Sequence, residues 1–257
     1  MSEVLYSVDE RVATVTLDRP AARNALSIGV REGLWAAMTA ADTDDEVDVV
    51  ILTGTDPAFC AGMDLGELAA GALTRTFGES EGDGVRTVRF FPVLSKPVIG
   101  AVNGPAVTGG LELALQCDFL VASERARFGD THARVGVMPG GGMTALLPDG
   151  VGLRRALEMS LTGNFVDAAE ALQFGLVNHV VAHEELLAFA RRLALDIVGS
   201  DREAVRHILA TYREVAAARG HDDALTAEAS RRSTFLRDAD EIGRRRQAVI
   251  ERGRRQN

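Results

Sequence analysis

Two segments constrain this chain most: Val47-Asp48-Val49-Val50-Ile51-Leu52-Thr53, ending at Gly54, and Val98-Ile99-Gly100-Ala101-Val102, introduced by Lys96-Pro97. Both are short, rich in β-branched residues and almost continuously apolar, the pattern of strands buried on both faces. The second leads through the turn Asn103-Gly104-Pro105 into a helix over Gly109-Gly110-Leu111-Glu112-Leu113-Ala114-Leu115, and Asp118-Phe119-Leu120-Val121-Ala122 reads as another strand. Strand, turn and helix alternating in this order predict an α/β domain. At 257 residues the chain can bury about 70 to 75% of its unfolded surface, so it needs neither disulfides nor a structural metal.

The flanking segments fit around that core. Val4-Leu5-Tyr6-Ser7-Val8 and Val12-Ala13-Thr14-Val15-Thr16-Leu17, separated by Asp9-Glu10-Arg11, read as a β-hairpin. Ser27 is placed as the N-cap of a helix whose apolar positions Val30, Leu34, Trp35 and Met38 recur at helical spacing. From Ala69 to Gly84 the chain turns to Gly, Ala, Ser, Thr and acidic residues without periodicity, the pattern of a mobile loop or lid. Beyond residue 150 the pattern is mostly helical, with helices over Arg154–Ser160, Ala168–Gln173 and Glu184–Val198 and two or three more to the end.

Composition narrows the function classes. The net charge is −9, and nine Arg against four Asp or Glu between Arg231 and Asn257 give that end a local +5, leaving an acidic body that does not suit a nucleic-acid binder. The two cysteines, Cys60 and Cys117, lie far apart and outside any CxxC, which argues against a disulfide scaffold or a zinc site and for a reducing, cytoplasmic setting. The N-terminal residues carry no signal-peptide pattern, and no apolar stretch is long enough to span a membrane. The glycines of Gly104–Leu111 have P-loop spacing without the Lys-Ser/Thr pair, and neither GxSxG nor a GxGxxG after the first strand occurs. Two strand-to-helix turns remain, Ala58–Leu65 and Asn103–Glu112, each able to present a backbone N–H to developing negative charge.

Taken together, Arg19-Pro20-Ala21-Ala22-Arg23-Asn24-Ala25-Leu26, Ala58-Phe59-Cys60-Ala61-Gly62-Met63-Asp64-Leu65, Ala101-Val102-Asn103-Gly104-Pro105-Ala106, Gly109-Gly110-Leu111-Glu112-Leu113 and Cys117-Asp118 resemble the enoyl-CoA hydratase/isomerase (crotonase) family in order and spacing. The match continues through Phe128-Gly129, Pro139-Gly140, Leu161-Thr162-Gly163, Glu170-Ala171 and Gly175-Leu176-Val177. The resemblance implies a spiral of ββα units over residues 1–195 that carries the site, and a helical region over 196–257 that forms a homotrimer or a dimer of trimers. It implies an acyl-CoA thioester as ligand, with no cofactor beyond the coenzyme A of the substrate itself. Met63 and Gly109 match the oxyanion-hole amides, while Arg23, Ala25, Ala61, Gly62, Asp64 and Leu65 match positions lining CoA. Arg19, Arg23 and the Arg-rich C-terminal end would offset the charge of that polyanion.

Glu112 matches the first of the two family glutamates that hold and activate water. The second falls in Phe128-Gly129-Asp130-Thr131-His132, where this chain carries His132 at the glutamate's position and Asp130 two residues before it. Hydration needs one proton delivered to the α-carbon and one removed from water, and either side chain has the chemistry to supply the second group. With two working groups the implied reaction is hydration of a trans-2-enoyl-CoA. With Glu112 alone it is Δ3,Δ2-enoyl-CoA isomerisation, or acyl-CoA binding with weak turnover. Cys60 reads as a packing residue, and His179, His183, His207 and His221 as solvated or structural residues of the helical C-terminal part.

Overall fold

The computed structural model describes residues 3–64, 66–67 and 89–217. The expected loop Ala69–Gly84, Leu65, His221 and the Arg-rich end of the chain lie outside the described residues. Strand β1 (Val4–Asp9) pairs antiparallel with β2 (Val12–Leu17), and the hairpin turn holds Glu10 and Arg11 at φ of 46° and 64°, the left-handed conformation a tight two-residue turn demands. Strand β3 (Val49–Gly54) lies parallel to β2, followed by β4 (Val98–Val102), β6 (Phe119–Ser123) and β9 (His179–Val181), giving one six-stranded sheet in the order β1-β2-β3-β4-β6-β9. Three short strands, β5 (Ala106–Val107), β7 (Arg127–Gly129) and β8 (Val166–Asp167), make a second sheet.

Helices α1 (Ile28–Thr43), α2 (Gly109–Leu115), α3 (His132–Val135), α4 (Met143–Val151), α5 (Leu153–Thr162), α6 (Ala168–Phe174), α7 (Leu186–Val198) and α8 (Arg202–Ala217) complete the described structure. Twice in succession the chain visits the large sheet, then the small one, then a helix: β4, β5, α2 and β6, β7, α3. That is the ββα winding the resemblance implies. Among the described residues no helix is long and apolar enough to cross a membrane.

Side chains alternate across the sheet and so divide the core in two. On one face Val49, Ile51, Ile99, Ala101 and Val121 pack with Leu186, Ala190 and Ala194 of α7. On the other, Val50, Leu52, Val98, Val102, Leu120 and Ala122 pack with Val30, Leu34 and Met38 of α1. Each fully buried aliphatic side chain is worth about 1.5–3 kcal/mol. This double covering explains why β3 and β4 are apolar at every position that packs.

Helix α1 starts as its sequence requires: the Ser27 Oγ accepts the Val30 N–H at 3.0 Å. Its end is tied by the chain's one lysine, whose buried Nζ donates to Ala41 O at 2.7 Å and Asp44 O at 2.5 Å. Trp35 is half-buried rather than part of the core, and the inward position is taken by Arg31.

The region beyond residue 150 is not simply helical, because it contributes β8 and β9. Strands of two and three residues carry no readable period, and their place is decided by partners far away in sequence: Arg127–Phe128 for β8, Val121–Ser123 for β9. His179 accordingly lies on β9, its ring 4.9 Å from that of Phe189. His183 lies on a 3-10 turn, with Nδ1 3.0 Å from Ser123 Oγ and Nε2 2.9 Å from Asp56 Oδ2, a structural tie across the ends of the sheet. His207 is exposed on α8.

Candidate active site

Both glycine turns converge on one place. The segment from Cys60 to Asp64 is strung between two others: Ala61 N–H donates to Arg23 O (3.0 Å), Leu26 N–H to Gly62 O (2.8 Å) and Asp64 N–H to Leu26 O (3.3 Å). On the other side, Cys60 N–H donates to Pro105 O (3.1 Å) and Val107 N–H to Cys60 O (3.0 Å). Because Gly62 and Asp64 make the bridge to Leu26, the Met63 N–H between them faces the opposite way. Gly62 sits at φ +93°, and a Cβ there would lie 2.9 Å from Val107 O and 3.3 Å from Gly109 N. A Cβ on Gly109 would lie 3.4 Å from Met63 N. Glycine at these two positions lets the two backbones approach. Among the described residues neither the Met63 nor the Gly109 N–H has a hydrogen-bond acceptor.

Glu112 is buried on the first turn of α2. Its Oε1 accepts the backbone N–H of Gly141 at 2.8 Å and those of Gly140 and Met143 at 3.3 Å. A Cβ on Gly141 would stand 2.9 Å from Glu112 Oε2 and 2.7 Å from the Phe90 ring, so glycine is what admits the carboxylate. The other carboxylate oxygen, Oε2, faces His132 Nε2 at 3.8 Å. One water oxygen at ordinary hydrogen-bond distance from both atoms fits that separation.

His132 opens α3 and is buried, as is Asp130 beside it. Asp130 Oδ1 stands 2.6 Å from His132 Nδ1 and also accepts the His132 backbone N–H at 3.1 Å. Burial acts to raise the Asp130 carboxyl, but hydrogen bonds from the His132 ring and the Ser160 hydroxyl, with the charge of His132, hold it below its ordinary value. Asp130 therefore points at His132 and not at Glu112. Of the two groups left open by the sequence, the one facing Glu112 is His132.

The two turns that carry these side chains are stitched together. Thr108 N–H donates to Gly129 O at 2.8 Å, Thr131 N–H donates to Thr108 Oγ1 at 3.2 Å, and the two threonine hydroxyls lie 2.6 Å apart. Thr108 is held at φ 55°, ψ −114°, a conformation a β-branched residue adopts only under constraint.

At the rim, Asn24 fixes the loop that contains Arg23. Its Nδ2 donates to Thr55 O (2.8 Å) and Ala58 O (2.7 Å), and its Oδ1 accepts the Arg19 N–H (2.9 Å). Arg19, expected to offer its charge to a polyanion, is committed elsewhere: it lies 2.6 Å from Asp64 Oδ2 and 3.0 Å from Glu3 Oε1. Asp64, for its part, is held below the usual carboxylate range first by the Arg19 hydrogen bond, against the opposing effect of burial, and further by the N–H groups of Glu67 and Gly66. Arg23, by contrast, is exposed at φ 51° with no side-chain partner among the described residues. Ala25 and Ala61 are half-buried on the same rim, and Leu65 lies outside the described residues.

Cys60 is fully buried, and burial pushes its thiol up to about 12, which makes it an inert packing residue. Among the described residues no group of three or more His, Cys, Asp or Glu could hold a metal ion. Residue patterns alone assign no role to Ser160, Asn24 or the Gly140–Met143 turn. Only the turn carried a signal, the run Gly140-Gly141-Gly142, which marks close backbone approach without saying to what.

This geometry can be set against known proteins. The family model described as enoyl-CoA hydratase/isomerase matches residues 7–255. The 2,3-dehydroadipyl-CoA hydratase of Escherichia coli is 41% identical over 194 residues, covering 76% of this chain and 75% of that one. The crystal structure of an enoyl-CoA hydratase from Mycobacterium tuberculosis H37Rv superposes with a TM-score of 0.82 at 50% identity, covering 91% of this chain and 98% of that one. A monofunctional enoyl-CoA isomerase from Mycobacterium smegmatis superposes with a TM-score of 0.69 at 34% identity, covering 86% and 98%. The ββα winding, the paired glycine turns and a match spanning almost every residue lead to one conclusion: the chain belongs to the enoyl-CoA hydratase/isomerase family.

Proposed function

We propose that the protein is an enoyl-CoA hydratase that adds water to trans-2-enoyl-CoA thioesters, with Glu112, His132 and the amides of Met63 and Gly109 as its catalytic groups. The observation that carries this reading is the buried pair Glu112 Oε2 and His132 Nε2 at 3.8 Å, two proton-transfer groups where a single-base reaction needs one. The hydratases among its relatives support the same choice.

In this reading the thioester oxygen accepts the Met63 and Gly109 N–H groups, each donor in such a site being worth about 3–4 kcal/mol. Water bound between Glu112 and His132 loses a proton to Glu112 Oε2 as its oxygen attacks the β-carbon. Charge moves onto the thioester oxygen as an enolate, and His132 Nε2 delivers a proton to the α-carbon. The proton on Glu112 then returns to His132 across the same gap, so one water is consumed and both side chains are restored. Arg23, Ala25, Ala61, Gly62, Asp64 and Leu65 line the CoA portion, with Arg23 the cation offered to its phosphates and no cofactor beyond the CoA of the substrate. Residues 1–195 form the catalytic body, and the helical region over 196–257 assembles a trimer or dimer of trimers in the cytoplasm.

The test follows loss of enoyl-thioester absorbance with crotonyl-CoA and with a longer trans-2-enoyl-CoA, for the natural protein, Glu112→Ala and His132→Ala. Hydration by the natural protein that both substitutions suppress supports the assignment. No hydration of either ester overturns it. Turnover of a 3-enoyl-CoA would then identify a single-base isomerase, and tight ester binding without turnover a binding protein.

A further inference from the structure

We propose that Asp130 is a positioning residue that fixes the tautomer and direction of His132, so that the Asp130 carboxylate, His132 and Glu112 act as one relay. The inference rests on the hydratase reading and extends it to a residue that does not touch the reacting atoms. A glutamate at position 132 would present equivalent oxygens and need no tautomer. An imidazole differs, because its two nitrogens are distinct and only one carries the proton in the neutral ring. The carboxylate 2.6 Å from Nδ1 accepts a proton there, which leaves Nε2 as the nitrogen that exchanges protons on the Glu112 side. Asp130 is itself anchored on α5 through the Ser160 hydroxyl.

Among the described residues, the charged groups that face His132 include Asp130, from the turn before α3, and Glu112, from α2, while from α5 the uncharged Ser160 meets Asp130. Arg134, on the same short helix, is directed instead to Thr162 O (2.9 Å) and Asn164 Oδ1 (2.7 Å). A carboxylate at Asp130 is thus the feature that distinguishes a working His132 from a ring free to turn or to carry its proton on the wrong nitrogen.

Asp130→Asn separates this role from mere support, because asparagine keeps an acceptor for the His132 backbone N–H while losing the charge. We expect kcat to fall about 10²-fold or more with KM little changed, and the alkaline limb of the pH–rate profile, set by loss of the proton that His132 delivers, to move to lower pH as the neighbouring anion is lost. In His132→Glu two carboxylates meet, so activity drops; adding Asp130→Asn to that variant restores much of it. An Asp130→Asn enzyme with unchanged kcat and pH limb, or a double variant no better than His132→Glu alone, overturns the inference. A readout independent of turnover is the far-downfield proton resonance of the His132 Nδ1–H, present in the natural protein and absent in both His132→Ala and Asp130→Asn. If that resonance appears while no enoyl-CoA is hydrated, the relay stands and the hydratase reading fails. If hydration proceeds without it, the relay fails.

Discussion

The two proposed catalytic side chains are held in opposite ways. Glu112 is held by main chain, the N–H groups of Gly140, Gly141 and Met143 converging on one oxygen. His132 is held by side chain, through the carboxylate of Asp130. Main-chain support depends on the path of a loop and is altered only by residues that move the backbone. Side-chain support can be deleted by one substitution and can be exchanged in evolution for another pair. The difference matches where this chain departs from the two-glutamate pattern: the glutamate stands on the side held by backbone, and the histidine on the side held by a neighbouring carboxylate.

The largest effect is expected from Glu112→Ala, a loss of about 10³–10⁴ in crotonyl-CoA hydration. The same change removes the acceptor of three N–H groups, those of Gly141 and Met143 buried, so thermal unfolding should report a cost of about 1–3 kcal/mol. A protein that loses stability and keeps its rate would place the proton chemistry elsewhere.

Gly141→Ala attacks the main-chain side without touching a titratable group. Its Cβ would press on Glu112 Oε2 at 2.9 Å and on Phe90 at 2.7 Å, so the carboxylate must shift. Displacements near 1 Å cost about 10²-fold in rate, and kcat/KM is the quantity to follow. An unchanged value would show that the cradle tolerates movement, and that the glutamate is held less firmly than the histidine.

A smaller effect is expected at the rim, where neither mode of support applies. Asp64→Asn releases Arg19 from its partner at 2.6 Å, and we expect KM for the CoA ester to change a few-fold while kcat stays constant. Because the Asp64 carboxyl is lowered in the folded protein, the stability it contributes is present above its unfolded value of about 3.9 and is lost as pH falls through the lower folded value. Acid titrations of stability should therefore show a transition in the natural protein that Asp64→Asn weakens. Identical acid limbs for both proteins would show that the Arg19 contact adds nothing to folding.

Much of the fold was legible because its signals are local. The apolar runs of β3 and β4, the alternation in β1 and β2 and the Ser27 cap each depend on residues within one turn or a few positions, and each element forms where the pattern sets it. The strands β8 and β9 were not legible, since they are shorter than any period and owe their existence to partners elsewhere in the chain. The charge of Arg19 could not be assigned either, because the sequence does not say that Asp64, 45 positions away, will consume it.

What the sequence determined by itself is the family, the winding of the chain and the presence of Glu112, His132 and two glycine turns in a fixed order. Which groups face one another was decided only in three dimensions. The oxygen of Glu112 that takes the backbone donors is selected by amides 28 to 31 residues further on, and which of Asp130 and His132 faces Glu112 is set by the direction of a turn that makes one the support of the other. Periodicity and propensity act over a few residues, whereas a proton can be passed only between atoms a few ångströms apart, and that proximity is a property of the packed chain.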